Sequence, residues 1–202
     1  MADELEQTTD EEIEDFDAEL DEGFDEERRE LRRAALRHIR QWGDPVLRSV
    51  ASEVKVFDDA LRNDALAMAA LMEDAIGAGL AAPQVGSLRR MFVYRADREG
   101  EVVTVINPKI VWRSSDEETD FEGCLSLSEV LVEVSRPTAV KVEAQDLDGK
   151  PITIKAEGFE ARVIQHEYDH LEGVMIIDRA DADQRRDALR RLRNSSAQDP
   201  IS

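Results

Sequence analysis

The chain has 202 residues, 42% of them hydrophobic and 36% charged, enough for one domain with a real core and hardly enough for two. Its formal charge of −20 is unevenly spread: residues 1–30 hold 16 Asp and Glu against Arg28 and Arg29, and the rest carries only about −6, ordinary for a soluble domain. No apolar run reaches the length of a membrane span and no secretory signal is visible, while the single cysteine, Cys124, excludes an internal disulfide, so a cytoplasmic protein is expected.

In chain order, residues 1–33 read as an acidic, self-repelling, disordered arm, with a helix docking through Ile13, Phe16 and Leu20 as the alternative. A domain is expected over 34–195, followed by a flexible tail at 196–202. Apolar residues at 61, 65, 68, 69, 72 and 76 predict a helix from Asp58 to Ile76, capped by Asp58 or Asp59 and stopped by Gly77. Strands are predicted at 91–94, 102–106, 130–134, 139–144 and 152–156. Asp148-Gly149 between the last two predicts a hairpin whose central residues both take positive φ. A second helix is predicted over 160–172, with Ala161, Ile164, Tyr168 and Leu171 on one face and Gly173 after its end. A third, basic helix covers 182–193. This order predicts an α+β fold, with mixed, mainly antiparallel short sheets packed around a central HExxH-bearing helix, and an N-terminal and a C-terminal helix.

Two of the three histidines fall in QHEYDHLEG, residues 165–173. Residues four apart share a helix face, so His166 and His170 can grip one cation from the same side. Glu167 then stands beside the metal as a general base, which is the logic of HExxH. The alternative is a charged helix face that happens to carry two histidines. A catalytic site needs a third protein ligand. Glu172 follows His170 too closely on the same helix, and no histidine lies downstream. Cys124, in Glu122-Gly123-Cys124-Leu125-Ser126, remains; its other reading is a small buried hydrophobe.

A third stretch, GAGLAAPQVG at 77–86, is a Gly-rich turn that lets backbone approach something closely. It lacks the Lys-Ser/Thr of a Walker loop and the preceding strand of a dinucleotide fingerprint. Taken in order, GAGLAAPQVG, EGCLS and QHEYDHLEG resemble the three signature motifs of the bacterial peptide deformylases. The resemblance extends to GDPVLR at 43–48, Ile106-Asn107-Pro108, Arg136-Pro137, the hairpin at 148–151 and GVMIIDR at 173–179, covering about residues 36–180.

The resemblance implies a metallohydrolase that removes the N-formyl group from the initiator methionine of new polypeptides and releases formate. Hydroxide on the metal would attack the formyl carbon, with Glu167 as general base and then acid. Cys124, His166 and His170 match the family's metal ligands. Gln84 and the backbone amide of Leu125 match its donors to the formyl oxygen. Fe(II) is implied as the native ion, with Ni(II), Co(II) or Zn(II) as substitutes. Gly79 matches the position whose backbone meets an extended substrate peptide. Ala78 is smaller than the family's usual residue there and, with Phe159 and Val163, is expected to wall the methionine pocket. The sequence departs from the family after EGCLS, where Ser128 and Glu129 follow Leu127. The expected partners are nascent formyl-Met chains and, through the basic C-terminal helix, the ribosome; no membrane is implied and a monomer is the expectation. Two competing readings are an HExxH zinc peptidase and a non-catalytic, ribosome-associated metal-binding protein.

Overall fold

The computed structural model describes residues 25–97 and 100–198. Helix α1 spans Glu26–Leu36, with the Asp25 carboxylate accepting the Arg28 N–H at 3.0 Å as its cap. It begins inside the stretch assigned to the acidic arm, so a boundary at residue 34 falls within a helix whose Ala35 is buried. Ile13, Phe16 and Leu20 lie outside the described residues. A 3-10 turn follows at Pro45–Arg48, capped by Asp44.

Helix α2 spans Asp59–Asp74, and Asp58 caps it by accepting the Leu61 N–H at 3.0 Å. Leu61, Ala65, Met68 and Met72 recur every three or four residues and all are buried. The stop differs from the expected one. Ile76, not Gly77, takes the left-handed conformation (φ 61°), while Gly77 N–H closes the end on Met72 O at 2.8 Å. A β-branched residue in that region stores strain, of order 1–3 kcal/mol, immediately before the site.

Among the described residues seven strands form two antiparallel sheets. They are β1 Gly79–Ala81, β2 Met91–Tyr94, β3 Val103–Arg113, β4 Glu117–Cys124, β5 Leu127–Pro137, β6 Ala139–Gln145 and β7 Pro151–Glu157. The larger sheet has the order β1-β2-β3-β6-β7, and among the described residues β4 and β5 pair only with each other. Within the first sheet Gly79 stands opposite Tyr94 and Ala139 opposite Glu157. Strand β1 was not expected, since its three residues carry no alternating pattern. Nor was β4, whose exposed residues Glu117 to Phe121 run on without alternating with buried ones. The loop between β6 and β7 is longer than a two-residue turn: Asp146 N–H donates to Lys150 O at 2.9 Å, and only Gly149 has positive φ (77°).

Helix α3, Gly158–Leu171, packs against strands of both sheets. Ala161, Ile164 and Leu171 are fully buried against Val140, Val142 and Ala156 of the large sheet. Burying Ile164 or Leu171 contributes roughly 1.5–3 kcal/mol each relative to exposure. Tyr168 leaves this face and lies half-buried under the Arg90 guanidinium, 5.1 Å from the ring centre. Gly173 (φ 71°) ends the helix where a Cβ would meet the Arg48 carbonyl at 2.7 Å. A 3-10 turn at Ile176–Asp178 leads to helix α4, Ala182–Gln198, which packs Ala188 and Leu192 against Val130, Val132 and Val134 of β5. Among the described residues no helix is long and apolar enough to cross a membrane.

Candidate active site

Cys124 arrives at the end of β4, and α3 presents His166 and His170 to it from one face. Their ligand atoms all lie within 4.8 Å of one another, with Cys124 Sγ 3.3 Å from His170 Nε2. Helical spacing brings the two imidazoles together, their ring centres 5.0 Å apart. Leu125 and Ser126 form the two-residue turn into β5, so the strand begins at Leu127 and continues through positions 128 and 129.

Each imidazole has its own environment. His166 Nδ1–H donates to Glu122 Oε2 at 3.0 Å, which fixes the tautomer and leaves Nε2 for a ligand. Burial lowers its pKa, but the Cys124 thiol and the Glu122 carboxylate outweigh that and hold it well above the usual value. A site that draws a proton onto an imidazole also favours a metal cation. Burial, reinforced by the charge of His166, holds His170 well below its usual pKa, and its Nδ1 has no partner among the described residues.

Glu167, between the histidines, is only 3% exposed. Burial pushes its carboxyl up to about 7, against the pull of His166 and Arg136, and Oε2 has no hydrogen-bond partner among the described residues. Its side chain lies flat against β1: a Cβ on Gly79 would stand 2.7 Å from Glu167 Cγ and Cδ and closer still to Oε1. Only glycine lets strand and carboxylate approach so closely.

Gln84 sits in the 3-10 turn Ala82–Val85. Its Oε1 accepts the Ala81 N–H at 2.8 Å, so Nε2 faces the site, 3.2 Å from Ser126 Oγ and 3.7 Å from Cys124 Sγ. Residues 40–42 brace both loops. Arg40 N–H donates to Gln84 O at 2.7 Å, Gln41 Nε2 to Leu125 O at 3.1 Å, and Trp42 N–H to Ser126 O at 2.9 Å. Of the expected pocket residues, Ala78 packs against the apolar cluster that contains Val163. Phe159 is 58% exposed, one turn earlier on α3.

One thiol and two imidazoles form a donor set that suits a borderline-to-soft divalent ion, and beside it Glu167 Oε2 is buried with no hydrogen-bond partner among the described residues. The residues therefore fit the metal implied by the sequence.

Sequence reasoning missed the charged groups behind the ligands. Glu122 is buried and accepts from Arg136 Nε (2.6 Å) and Nη2 (2.9 Å), from Arg162 Nη1 (2.8 Å) and from His166. Burial raises the Glu122 pKa, but His166 and Arg136 outweigh it and hold it well below the carboxylate range. Arg136 also donates to Asp169 at 2.9 Å, and Asp169 accepts from Arg179 at 2.5 Å. Pairs this far apart in sequence leave no local signal; the nearest clue was the number of charges on a helix otherwise reading as half-buried.

The polypeptide deformylase family profile matches residues 36–186. The chain belongs to that family. Peptide deformylase 1 of Corynebacterium glutamicum is 45% identical over 166 residues, 80% of this chain and 97% of that protein. The crystal structure of peptide deformylase from Thermotoga maritima superposes with a TM-score of 0.68 at 45% identity, covering 71% of this chain and 96% of that one. The Synechococcus elongatus peptide deformylase, solved in complex with actinonin, superposes with a TM-score of 0.73 at 40% identity, covering 76% and 85%. The α+β fold and the enzyme class expected from the sequence, a metal-dependent deformylase, are those of this family.

Proposed function

We propose that the chain removes the formyl group from N-terminal formylmethionine of newly made polypeptides, with the site residues acting as follows. The observation that carries this reading is a buried carboxyl, Glu167, held beside a Cys/His/His cradle with the Gln84 amide turned toward it. When bound, a divalent ion supplies Lewis acidity, which lowers the pKa of water and polarises a carbonyl.

Glu167 accepts the proton of the attacking water through its unpartnered Oε2 and returns it to the departing amine nitrogen. Gln84 Nε2 and the Leu125 N–H donate to the formyl oxygen as negative charge grows on it; removing one such donor typically costs about 3 kcal/mol. The substrate lies extended along β1, an edge strand of the large sheet, meeting the backbone of Gly79. Ala78 and Val163 wall the methionine pocket, and Phe159 forms its exposed rim. Methionine's flexible thioether suits such an apolar wall.

Cys124, His166 and His170 hold one ion, which we assign as Fe(II), with Ni(II), Co(II) or Zn(II) able to replace it. A thiolate-ligated Fe(II) site loses activity in air. The third ligand lies upstream, in Cys124, which separates this site from an HExxH zinc peptidase. The enzyme works as a cytoplasmic monomer. The exposed arginines of α4, of which Arg186 and Arg190 also pair with Asp183 and Asp187, offer cations to ribosomal RNA, from which its substrates emerge.

Formate release from formyl-Met-Ala, compared with acetate release from acetyl-Met-Ala, tests the reading. Turnover of the formyl peptide alone supports it. Equal turnover of both, or of neither with metal bound, contradicts it.

A further inference from the structure

Arg162 holds the two ligand-bearing elements together. It is 9% exposed, and its guanidinium reaches three acceptors on two strands. Nη1 donates to Glu122 Oε1 at 2.8 Å and to the Val134 carbonyl at 2.9 Å, while Nη2 donates to the Glu118 carbonyl at 2.8 Å. Glu118 and Glu122 belong to β4, the strand that ends at Cys124; Val134 belongs to β5. Arg162 itself lies on α3 one turn before His166, on the same face.

Among the described residues the β4–β5 hairpin shares no backbone ladder with the large sheet. The separation of Cys124 from the two histidines therefore depends on what fastens the hairpin to α3. Two of the other fasteners, Gln165 Nε2 to Pro137 O at 2.9 Å and Arg136 Nη1 to Asp169, come from the far end of β5 or from its own side chain. Two more, His166 to Glu122 and Cys124 to His170, run through the ligands themselves. Arg162 alone among them spans from α3 to the backbone of both strands. It also supplies the second donor to Glu122 Oε1, leaving Oε2 for Arg136 and His166.

We propose that Arg162 is a positioning residue of the metal centre: it sets the distance between the Cys124 strand and the histidine helix, and it orients Glu122 against His166. A planar guanidinium can serve three acceptors at fixed angles, which an ammonium cannot. Loss of a residue behind the ligands typically weakens metal affinity about 10–100-fold. The inference rests on Cys124, His166 and His170 being the metal ligands.

The test uses the full, metal-stripped chain and Co(II) alone, prepared without oxygen, with affinity read by competition against a chromophoric chelator and geometry by the visible Co(II) bands. The parent should bind one Co(II) per chain. Arg162→Met should weaken binding about 10–100-fold and move the Co(II) bands. Val142→Ala, a cavity variant in the large sheet, loses Tm but should keep both affinity and bands. Parent-like affinity and bands in Arg162→Met, even with a lowered Tm, overturn the proposal. If Arg162→Met does not fold, Arg162→Lys decides it: intermediate affinity supports the role and parent affinity refutes it. A parent that binds no Co(II) would overturn the metal assignment as well, so the two failures are told apart.

Discussion

Replacing Gly79 with alanine places a methyl group where Glu167 already lies. The added Cβ would stand 2.7 Å from Glu167 Cγ and Cδ. Ordinary contact begins at 3.4 Å, so the carboxylate must retreat by about 0.7 Å, and its Oε1 further. It has nowhere easy to go, because Glu167 is buried on a helix packed on both sides. Nor is β1 free to move, since Gly79, Leu80 and Ala81 are registered against Tyr94, Val93 and Phe92. A misplacement approaching ~1 Å costs about 100-fold in rate. Gly79→Ala is therefore expected to lower kcat for formate release from a formyl-Met peptide by about 100-fold while binding one metal ion per chain. Activity within about threefold of the parent, at equal metal content, would refute the reasoning that strand and carboxylate form one fitted unit.

Glu167→Gln removes the proton acceptor but keeps the shape, so kcat should fall by about 10²–10⁴-fold with metal content unchanged; formate release and metal analysis check it. Gln84→Leu should cost about 100-fold or more in kcat with a smaller change in KM, as expected of a donor that acts on developing charge. Asp178 gives a prediction in acid. Burial raises its pKa, but the hydrogen bond from Arg48 and the Met175 N–H outweigh it, and the folded value lies below the ordinary one. Stability from this group is fully present above the unfolded value, about 3.9, and is lost as pH falls through the lower folded value. Asp178→Asn should therefore lower Tm at neutral pH and flatten the acid limb of a Tm-against-pH series.

Where the sequence was legible, the reason was local chemistry. The helix period at 61–72 follows from burial on one face, that at 161–171 from the apolar side turned to the large sheet although the opposite side is buried too, and the ligand pair 166 and 170 needs only helical geometry. Cys124, Gln84 and Gly79 became readable as a set because their surrounding motifs match a family, not because any residue alone announces a role. Strand β4 was hidden, because an exposed strand written EETDFEG offers no alternation to read. Helix α1 was hidden for the opposite reason: its charges continue those of the arm, and only the buried Ala35 and the Asp25 cap mark it as part of the fold. The arginines behind the ligands were illegible in principle. Arg136 and Arg162 meet Glu122 from 14 and 40 residues away, and a charged residue in a sequence does not state that it will be buried.

The most direct measurement is a titration of Fe(II) into metal-stripped protein under nitrogen, following formate released from a formyl-Met peptide. The account predicts that activity rises linearly to one equivalent per chain and then stops, and that Glu167→Ala binds the same equivalent without turnover. Formate release that ignores the metal, or a fully loaded parent that releases none, would contradict it.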